Sequence, residues 1–127
     1  MVSFEDFKMT EGSPIYVQIL RHIKRGVVAG TIRDGDELPS RRMLSALLGV
    51  NPNTVQKAYR MLEEEGLMQS HSGAKSLMRL DGEKTELVRS ELTRAIAGEL
   101  TSALKHMGLT CAEAVSLIEK MWEDDEQ

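Results

Sequence analysis

The chain has 127 residues, of which 41% are hydrophobic and 28% charged, so its composition is that of one or two small globular domains and excludes a wholly disordered chain. Its single cysteine, Cys111, excludes an internal disulfide and a cysteine-rich zinc or iron–sulfur site. No apolar run approaches the ~20 residues needed to cross a bilayer, and no signal peptide precedes the charged start. We therefore expect a cytoplasmic protein without membrane contact.

The net charge of −4 conceals an uneven distribution. Residues 1–80 carry 11 Lys/Arg and 9 Asp/Glu, whereas residues 81–127 carry 5 and 11. The stretch 38–62 has no acidic residue and holds four basic ones, Arg41, Arg42, Lys57 and Arg60. Because salt screens charge beyond roughly 8–10 Å, a phosphate responds to such local clusters, and overall acidity does not exclude a DNA-binding face. A chance gap in the acidic residues is the alternative.

The first 30 residues predict an arm followed by a helix. Residues 1–12 lack a strong periodicity and are typical of an extended segment. Ser13 is a suitable helix N-cap and Pro14 a suitable first helical residue, because proline has no N–H to leave unpaired there. An apolar stripe follows at every fourth position, and Gly30 ends the helix: Ile15, Ile19, Ile23 and Val27.

Two further helices are separated by a very short turn. The first begins at Ser40 and ends at Gly49, which suits a left-handed C-terminal cap, with a buried face predicted from Met43, Leu44, Leu47 and Leu48. The second opens at Asn51-Pro52 and continues to about Glu65, with an inward face of Val55, Ala58, Tyr59 and Leu62. Two helices joined by a tight turn that contains glycine are typical of a helix-turn-helix.

Two short apolar segments after Gly66 predict a β-hairpin. Residues 67–70 and 76–80 are the candidate strands, and the polar residues 71–75 between them form the tip. A helix-turn-helix followed directly by a hairpin is a winged helix. The predicted fold is therefore mainly α with a small β-hairpin wing, in which a winged helix-turn-helix DNA-binding domain spans residues 1–80.

The remaining chain, residues 81–127, predicts a two-helix dimerisation region. A long amphipathic helix covers about 84–107, and Thr110 with Glu113 forms a capping box for the last helix. Two helices alone bury too little apolar surface, so we expect them to pack against a second copy; folding back on the N-terminal domain is the alternative. The predicted interface residues are Val88, Leu92, Ile96, Leu100, Leu104, Val115, Ile118, Met121 and Trp122.

The helix over residues 52–65 carries the candidate DNA-reading residues. Asn and Gln side chains pair with adenine, Lys and Arg donate to guanine or phosphate, and Thr contacts phosphate or a thymine methyl group. Such residues cluster near the N-terminal end of a recognition helix. A solvated polar face is the alternative. The residues left on or beside its outer face are Asn53, Thr54, Gln56, Lys57 and Arg60.

Two further groups are candidate contacts to the DNA backbone. Arg41 and Arg42 begin the second helix, where free backbone N–H groups also favour an anion, although a salt bridge of one of them to Asp36 or Glu37 is the alternative. At the wing tip Gly73 would allow close approach of the chain, while a plain tight turn explains this glycine equally well. The candidate residues of the tip are Ser72, Gly73 and Lys75.

The sequence holds no recognisable catalytic or metal-binding pattern. His22, His71 and His106 lie on separate elements without metal-ligand spacing, and Cys111 has no neighbouring His or acid to orient it. We interpret the acidic runs 63–65 and 123–126 as solvated faces. We therefore predict no enzyme activity, no metal and no cofactor, and no particular small-molecule effector is indicated.

Four segments closely resemble the DNA-binding domain of GntR-family bacterial transcription regulators: Pro14–Ile19, Gly35–Arg42, Val50–Tyr59 and Leu62–Leu67. The resemblance covers about residues 10–80, with the four motifs in family order and spacing. The short two-helix C-terminal region resembles the YtrA subfamily. That resemblance implies a dimeric repressor of the kind often linked to transporter operons.

By position, the resemblance implies DNA contacts from Arg42, Asn53, Thr54, Gln56, Lys57 and Gly73. The chain departs from the family where Arg41 and Met43 replace commonly acidic residues, and where the wing has Ser72–Ser76 instead of Gly-x-Gly-Thr. Most GntR proteins also carry a large effector domain. The 47 residues of the region 81–127 leave little room for an enclosed pocket of roughly 300 Å³, except at a dimer interface.

The function expected from the sequence is that of a homodimeric, sequence-specific repressor. It would bind double-stranded DNA at an inverted-repeat (palindromic) operator, with one recognition helix in the major groove of each half-site. The alternative is a winged-helix adaptor that binds proteins through its helical region and acidic C-terminus. The polar recognition helix argues against the adaptor, because protein-docking faces present apolar or aromatic anchors.

Overall fold

The computed structural model describes residues 1–71 and 75–126 of the chain. These residues form five α-helices and a three-stranded antiparallel sheet, so the predicted mainly helical winged fold is confirmed. None of the described helices is long and apolar enough to span a bilayer. The elements in chain order are α1 (Ile15–Ala29), β1 (Glu37–Leu38), α2 (Arg41–Leu48), α3 (Pro52–Glu64), β2 (Met68–Ser70), β3 (Ser76–Met78), α4 (Gly82–His106) and α5 (Cys111–Glu126).

The chain divides into two compact units, and the division lies within α4. The first unit spans Met1–Ser90, and the second begins at Glu91. The assignment of DNA binding to residues 1–80 and of dimerisation to residues 81–127 stays a prediction. The first unit contains the hydrophobic core, whose largest fully buried side chains are Ile19, Ile23, Leu44, Val55, Tyr59, Leu62 and Met78.

Helix α1 begins one residue later than the sequence predicted. Pro14 is the N-cap, with a ψ of 146° and no side-chain capping bond, so the prediction of Ser13 as cap was wrong. Because Pro14 has an extended ψ, the helical conformation begins at Ile15. The predicted end is confirmed, since Gly30 has the left-handed φ of 81° that only glycine adopts at little cost.

The caps of the helix-turn-helix match the prediction. The Ser40 hydroxyl accepts a hydrogen bond from the Met43 N–H at 3.1 Å, and the Asn51 side chain accepts one from the Asn53 N–H at 2.8 Å. Gly49 ends α2 with a φ of 68°. Each short polar cap satisfies an N–H that has no partner within its helix, which fixes where α2 and α3 begin.

The predicted buried face of α2 was too wide. Leu44 is fully buried and Leu48 is half-buried, whereas Met43 and Leu47 are exposed at 52% and 66%. Ser45 lies on the inner side instead, where its hydroxyl donates to the Val50 carbonyl. A helix of two turns presents only a narrow stripe to the core, so Met43 and Leu47 are left in solvent.

The sheet has one strand more than the predicted hairpin. Strands β2 and β3 pair antiparallel, with Ser70 opposite Ser76, and β1 pairs with the other edge of β3. The two residues of β1 were too few to give a sequence pattern. At the wing tip, the His71 N–H donates to the Lys75 carbonyl at 2.7 Å, while residues 72–74 lie outside the described part of the chain.

The N-terminal arm, residues 1–12, packs onto the rest of the first unit. Val2 and Phe4 are each only 6% exposed, and the Val2 N–H donates to the Glu37 carbonyl at 2.8 Å. The arm therefore covers backbone of β1, an edge strand that would otherwise have one open side. The extended conformation of the arm was predicted, but its burial was not, although the alternation Val2-Ser3-Phe4 was a signal for that burial.

The capping box of α5 is confirmed. The Thr110 N–H donates to the Glu113 carboxylate at 2.9 Å, and the Glu113 N–H donates back to the Thr110 hydroxyl at 3.2 Å. The backbone N–H of Thr110 and, to a smaller degree, its side-chain hydroxyl lower the pKa of Glu113 by hydrogen bonding to its carboxylate. Gly108 separates the two helices with a φ of 84°.

Candidate nucleic-acid interface

Helix α3 separates an apolar inner face from a polar outer one. Val55, Ala58, Tyr59 and Leu62 are fully buried, as predicted. Because α3 is anchored along this whole stripe, its outer residues have a fixed orientation. Asn53, Lys57 and Arg60 are exposed, whereas Thr54 and Gln56 are half-buried at the sides of that face.

A hydrogen bond from Tyr59 connects α3 to the segment that precedes α2 in the chain. Its ring is fully buried, and its hydroxyl donates to the Pro39 carbonyl at 2.7 Å. Burial raises the pKa of Tyr59 strongly, while the nearby Arg41 lowers it to a lesser degree. The hydroxyl therefore stays protonated and remains a hydrogen-bond donor at every physiological pH.

The two arginines at the start of α2 have different surroundings. The Arg41 guanidinium lies over the Tyr59 ring, 5.2 Å from its centroid, and its buried Nε has no hydrogen-bond partner among the described residues. Arg42 is exposed. Arg41 is thus held by stacking, while Arg42 is free to reach an external anion.

The alternative prediction, a salt bridge from Arg41 or Arg42 to Asp36 or Glu37, was wrong for the described residues. The Asp36 carboxylate accepts from the Arg33 N–H at 2.7 Å, and Glu37 lies 4.0 Å from Lys75. Within the described ranges, Arg41 and Arg42 have no acidic partner within ion-pair distance.

Lys57 is positioned by a residue of α1. Its ammonium lies 4.1 Å from the centroid of the Tyr16 ring, a distance typical of a cation–π contact. This contact orients a flexible lysine beside the N-terminal end of α3. The role of Tyr16 could not be predicted from the sequence, because a contact between residues 41 positions apart leaves no local pattern.

Acidic residues at the C-terminal end of α3 take part in packing. Lys24 of α1, which is almost buried, donates to Glu65 at 2.9 Å, and the Ser70 hydroxyl donates to Glu63 at 3.1 Å. The interpretation of this run as a solvated face was therefore incomplete. These bonds attach the C-terminal end of α3 to α1 and to the wing.

Of the three wing-tip residues predicted to contact DNA, Lys75 is the one that the structure describes. The Lys75 side chain is 73% exposed, and its ammonium lies 4.0 Å from Glu37, a separation that provides little stabilisation. Ser72 and Gly73 lie outside the described residues. Elsewhere in the described ranges, no three His, Cys, Asp or Glu residues come close enough to hold a metal ion.

The predicted dimer residues are mostly exposed in the single chain. Val88 is the exception at 4%, because it belongs to the core of the first unit, so it is not available to a second copy. Leu92 and Leu104 are half-buried. The others leave large apolar side chains in solvent, up to 69% for Trp122: Ile96, Leu100, Val115, Ile118, Met121 and Trp122.

The family comparison agrees with the geometry. Residues 15–76, which include α1, the helix-turn-helix and most of the described wing, match the model of bacterial regulatory proteins of the gntR family. The chain is 40% identical over 81 residues to the HTH-type transcriptional repressor YtrA of Bacillus subtilis (strain 168), covering 64% of this chain and 62% of that relative. The match therefore spans about six-tenths of YtrA.

A second relative and a solved structure match over nearly their whole lengths. The HTH-type transcriptional regulator YhcF of Bacillus subtilis (strain 168) is 30% identical over 118 residues, which cover 93% of this chain and 98% of the relative. A GntR family transcriptional regulator from Listeria monocytogenes superposes with a TM-score of 0.80 at 28% identity, covering 88% of this chain and 98% of that one.

These relatives are transcription regulators and not enzymes, as the sequence predicted, and the expected resemblance to the GntR family and to YtrA is confirmed. The chain belongs to the GntR family of bacterial regulatory proteins and is a transcriptional regulator with a DNA-binding winged helix.

Proposed function

We propose that the protein is a repressor that binds an inverted-repeat operator as a homodimer, in the cytoplasm, where bacterial DNA is found. One copy of α3 would lie in the major groove of each half-site. The observation that carries this proposal is the outer face of α3, a rigidly anchored surface of amide and basic side chains.

The charge around α3 supports the choice of contact residues. No acidic residue occurs between positions 38 and 62, so no carboxylate on α2 or in the turn opposes a phosphate. Asn53, Gln56 and Arg60 are assigned to base edges, because amides and guanidinium groups form paired hydrogen bonds there. The proposed backbone contacts are Arg41, Arg42, Thr54, Lys57, Lys75 and, at the wing tip, Ser72 and Gly73.

The exposed apolar residues of α4 and α5 support a homodimer. On α5, Ile118, Trp122 and Val115 recur at spacings of three or four, so they form one stripe along the helix. Among the described side chains of α5, only Ala114 is even half-buried. An apolar stripe left in solvent is unfavourable, and a second copy would cover it with an identical surface.

Repression is proposed because YtrA, with which the chain shares its DNA-binding region, is named a repressor. An inverted repeat follows from the proposed two-fold axis, since each protomer would present the same helix to its half-site.

Arg42→Ala is expected to weaken binding to every duplex by a similar factor. Arg42 would contact phosphate, so its removal reduces the slope of log affinity against log salt by about 1 per protomer. Fluorescence anisotropy with a labelled duplex over a salt series measures this slope. Arg33→Ala is the matched control, because Arg33 is exposed and belongs to neither α2 nor α3. Equal slopes for Arg42→Ala and wild type would contradict the phosphate assignment.

Gln56→Ala and Asn53→Ala are expected to cost about 1–3 kcal/mol for each lost base contact and to relax the preference at particular base pairs. Selection from random duplexes, carried out with each variant, shows which positions lose their preference. Glu64→Ala serves as the control, because Glu64 is exposed at the other end of α3. An unchanged consensus for both variants would place the reading face elsewhere.

The adaptor alternative has one observation in its favour. Met43 and Leu47 of α2 are exposed and one turn apart, so they form a small apolar patch. Two side chains are far fewer than the 20–30 residues that a partner typically contributes to a stable protein interface. Retention of operator binding by Leu47→Ser would separate this patch from the DNA-binding surface.

A further inference from the structure

A cavity of about 260 Å³ lies in the first unit between the N-terminal arm and α1. Three basic side chains line it, Lys8 from the arm and Arg21 and Arg25 from α1, against one acidic side chain, Asp6. The lining thus has two more basic than acidic side chains, in a chain whose net charge is −4. The local positive charge is therefore not a consequence of the overall composition.

Among residues 1–71 and 75–126, no ion pair explains the placement of these three cations. In the part of the chain that the structure describes, no carboxylate lies within 4.0 Å of the Lys8, Arg21 or Arg25 side chains. Arg21 and Arg25 are one helical turn apart, a spacing at which like charges repel. An anion bound between them would turn this repulsion into two attractive contacts.

Hydrogen bonds between the arm and α1 hold the walls of the cavity in place. The Gln18 carboxamide, only 8% exposed, accepts from the Thr10 N–H at 2.8 Å and donates to the carbonyls of Thr10 and Ser13 at 2.8 and 2.9 Å. His22 donates to the Ser3 carbonyl at 2.8 Å. Its ring packs against Phe4 and Phe7, with centroids 4.6 and 5.4 Å away. The shape of the site is therefore preorganised, which lowers the cost of binding.

The cavity lies on the side of α1 that points away from α3. Tyr16 faces α3, because it contacts Lys57. At 3.6 residues per turn, Arg25 points about 180° and Arg21 about 140° away from Tyr16 around the helix axis. Both arginines are exposed, whereas Ile19 and Ile23 on the opposite side are buried. DNA in contact with the outer face of α3 would not reach this cavity.

We propose that this cavity binds a small dianion of the phosphate or carboxylate class, held by Arg21, Arg25 and Lys8. The two excess positive charges match a dianion. The volume is below the range typical of drug-sized ligands, so the ligand is small. The carboxylate of Asp6 in the lining would disfavour more highly charged anions. The binding site is separate from the DNA-binding surface and does not depend on the proposed operator or on dimerisation.

Titration of the isotopically labelled full chain with inorganic phosphate, followed by NMR, tests the proposal. Saturable shifts are expected at the amides of Lys8, Arg21, His22 and Arg25, and not with sodium chloride at equal ionic strength. Arg21→Gln/Arg25→Gln should weaken the apparent affinity at least about tenfold, because each lost arginine removes a charge-assisted hydrogen bond. Arg33→Gln, outside the cavity, should leave it unchanged. Unsaturable shifts, or equal weakening by Arg33→Gln, would overturn the proposal.

DNA binding by the same variants separates a small anion from a DNA phosphate. Without added phosphate, the double variant Arg21→Gln/Arg25→Gln should lose some affinity for a duplex. For each charge removed, this loss of affinity should be no greater than that caused by Arg33→Gln. A loss per charge as large as that of Arg42→Ala would mean that these arginines contact DNA, and the separate anion site would then be wrong. If Arg21→Gln/Arg25→Gln loses anion binding but still binds DNA, the separate anion site is supported and the proposed function is unaffected.

Discussion

Replacing Ile118 by Asp is expected to convert the dimer into monomers. Ile118 lies in the middle of the apolar stripe of α5 and is still 38% exposed in the single chain. If a second copy covers it, the aspartate would bury an unpaired charge at a central interface position, which costs 2 kcal/mol or more and weakens dimerisation by about 30-fold or more. Sedimentation velocity at a fixed protomer concentration measures the change.

The same variant should lose affinity for an operator with two half-sites. A dimer binds its second half-site at a high effective concentration, an advantage of roughly 100-fold or more that separate monomers lack. Binding to an isolated half-site should change little, because α3 is untouched.

Ser116→Asp is the matched control for Ile118→Asp. It adds the same charge to an exposed position of α5 away from the stripe. Trp122 provides a second signal, since it is the only tryptophan and is 69% exposed in the single chain. Its emission should shift to the blue on dimerisation and to the red in Ile118→Asp. A wild-type chain that sediments as a monomer would contradict the proposed interface.

Replacing Tyr59 by Ala is expected to lower the free energy of unfolding by about 3–5 kcal/mol. The ring is fully buried, and the change also leaves the Pro39 carbonyl without its hydrogen bond. Most domains are stable by only about 5–15 kcal/mol, so the expected loss is a large fraction of the total free energy of unfolding. Urea unfolding followed by circular dichroism measures the loss, at one protomer concentration because dimerisation adds to stability.

Tyr59→Phe separates the hydroxyl from the ring. It should cost only about 1–3 kcal/mol, since the packing and the stacking of Arg41 remain while the Pro39 carbonyl loses its donor. Tyr16→Phe, which keeps the contact face beside Lys57, should change stability by less than about 0.5 kcal/mol. Equal losses for Tyr59→Ala and Tyr59→Phe would contradict the assigned role of the ring.

Much of the first unit could be predicted from the sequence because its signals are local. The capping residues Ser40 and Asn51 and the left-handed Gly49 fix helix ends through bonds or dihedral angles of the segment itself. The inner face of α3 could be predicted from helical periodicity. The residues not on that face were then assigned to the outer face. The candidate DNA-reading residues on α3 are therefore where the sequence placed them.

The features that the sequence missed depend on distant contacts. Strand β1 exists only through its pairing with β3, and the arm is ordered through a bond from Val2 to Glu37. Tyr16 is a positioning residue for Lys57 only because α1 packs against α3. The burial of Val88 likewise reflects the first unit continuing into α4. Apart from the short alternation Val2-Ser3-Phe4 in the arm, these contacts leave no periodic or capping pattern.

Selection of binding sites from a pool of random duplexes, at several salt concentrations, tests the central claim most directly. We expect an enriched consensus with two-fold symmetry and an affinity that falls steeply as salt increases, because two protomers would each place α3 in a groove and contact phosphates. Weak binding without an enriched motif would contradict this claim and would favour the adaptor alternative.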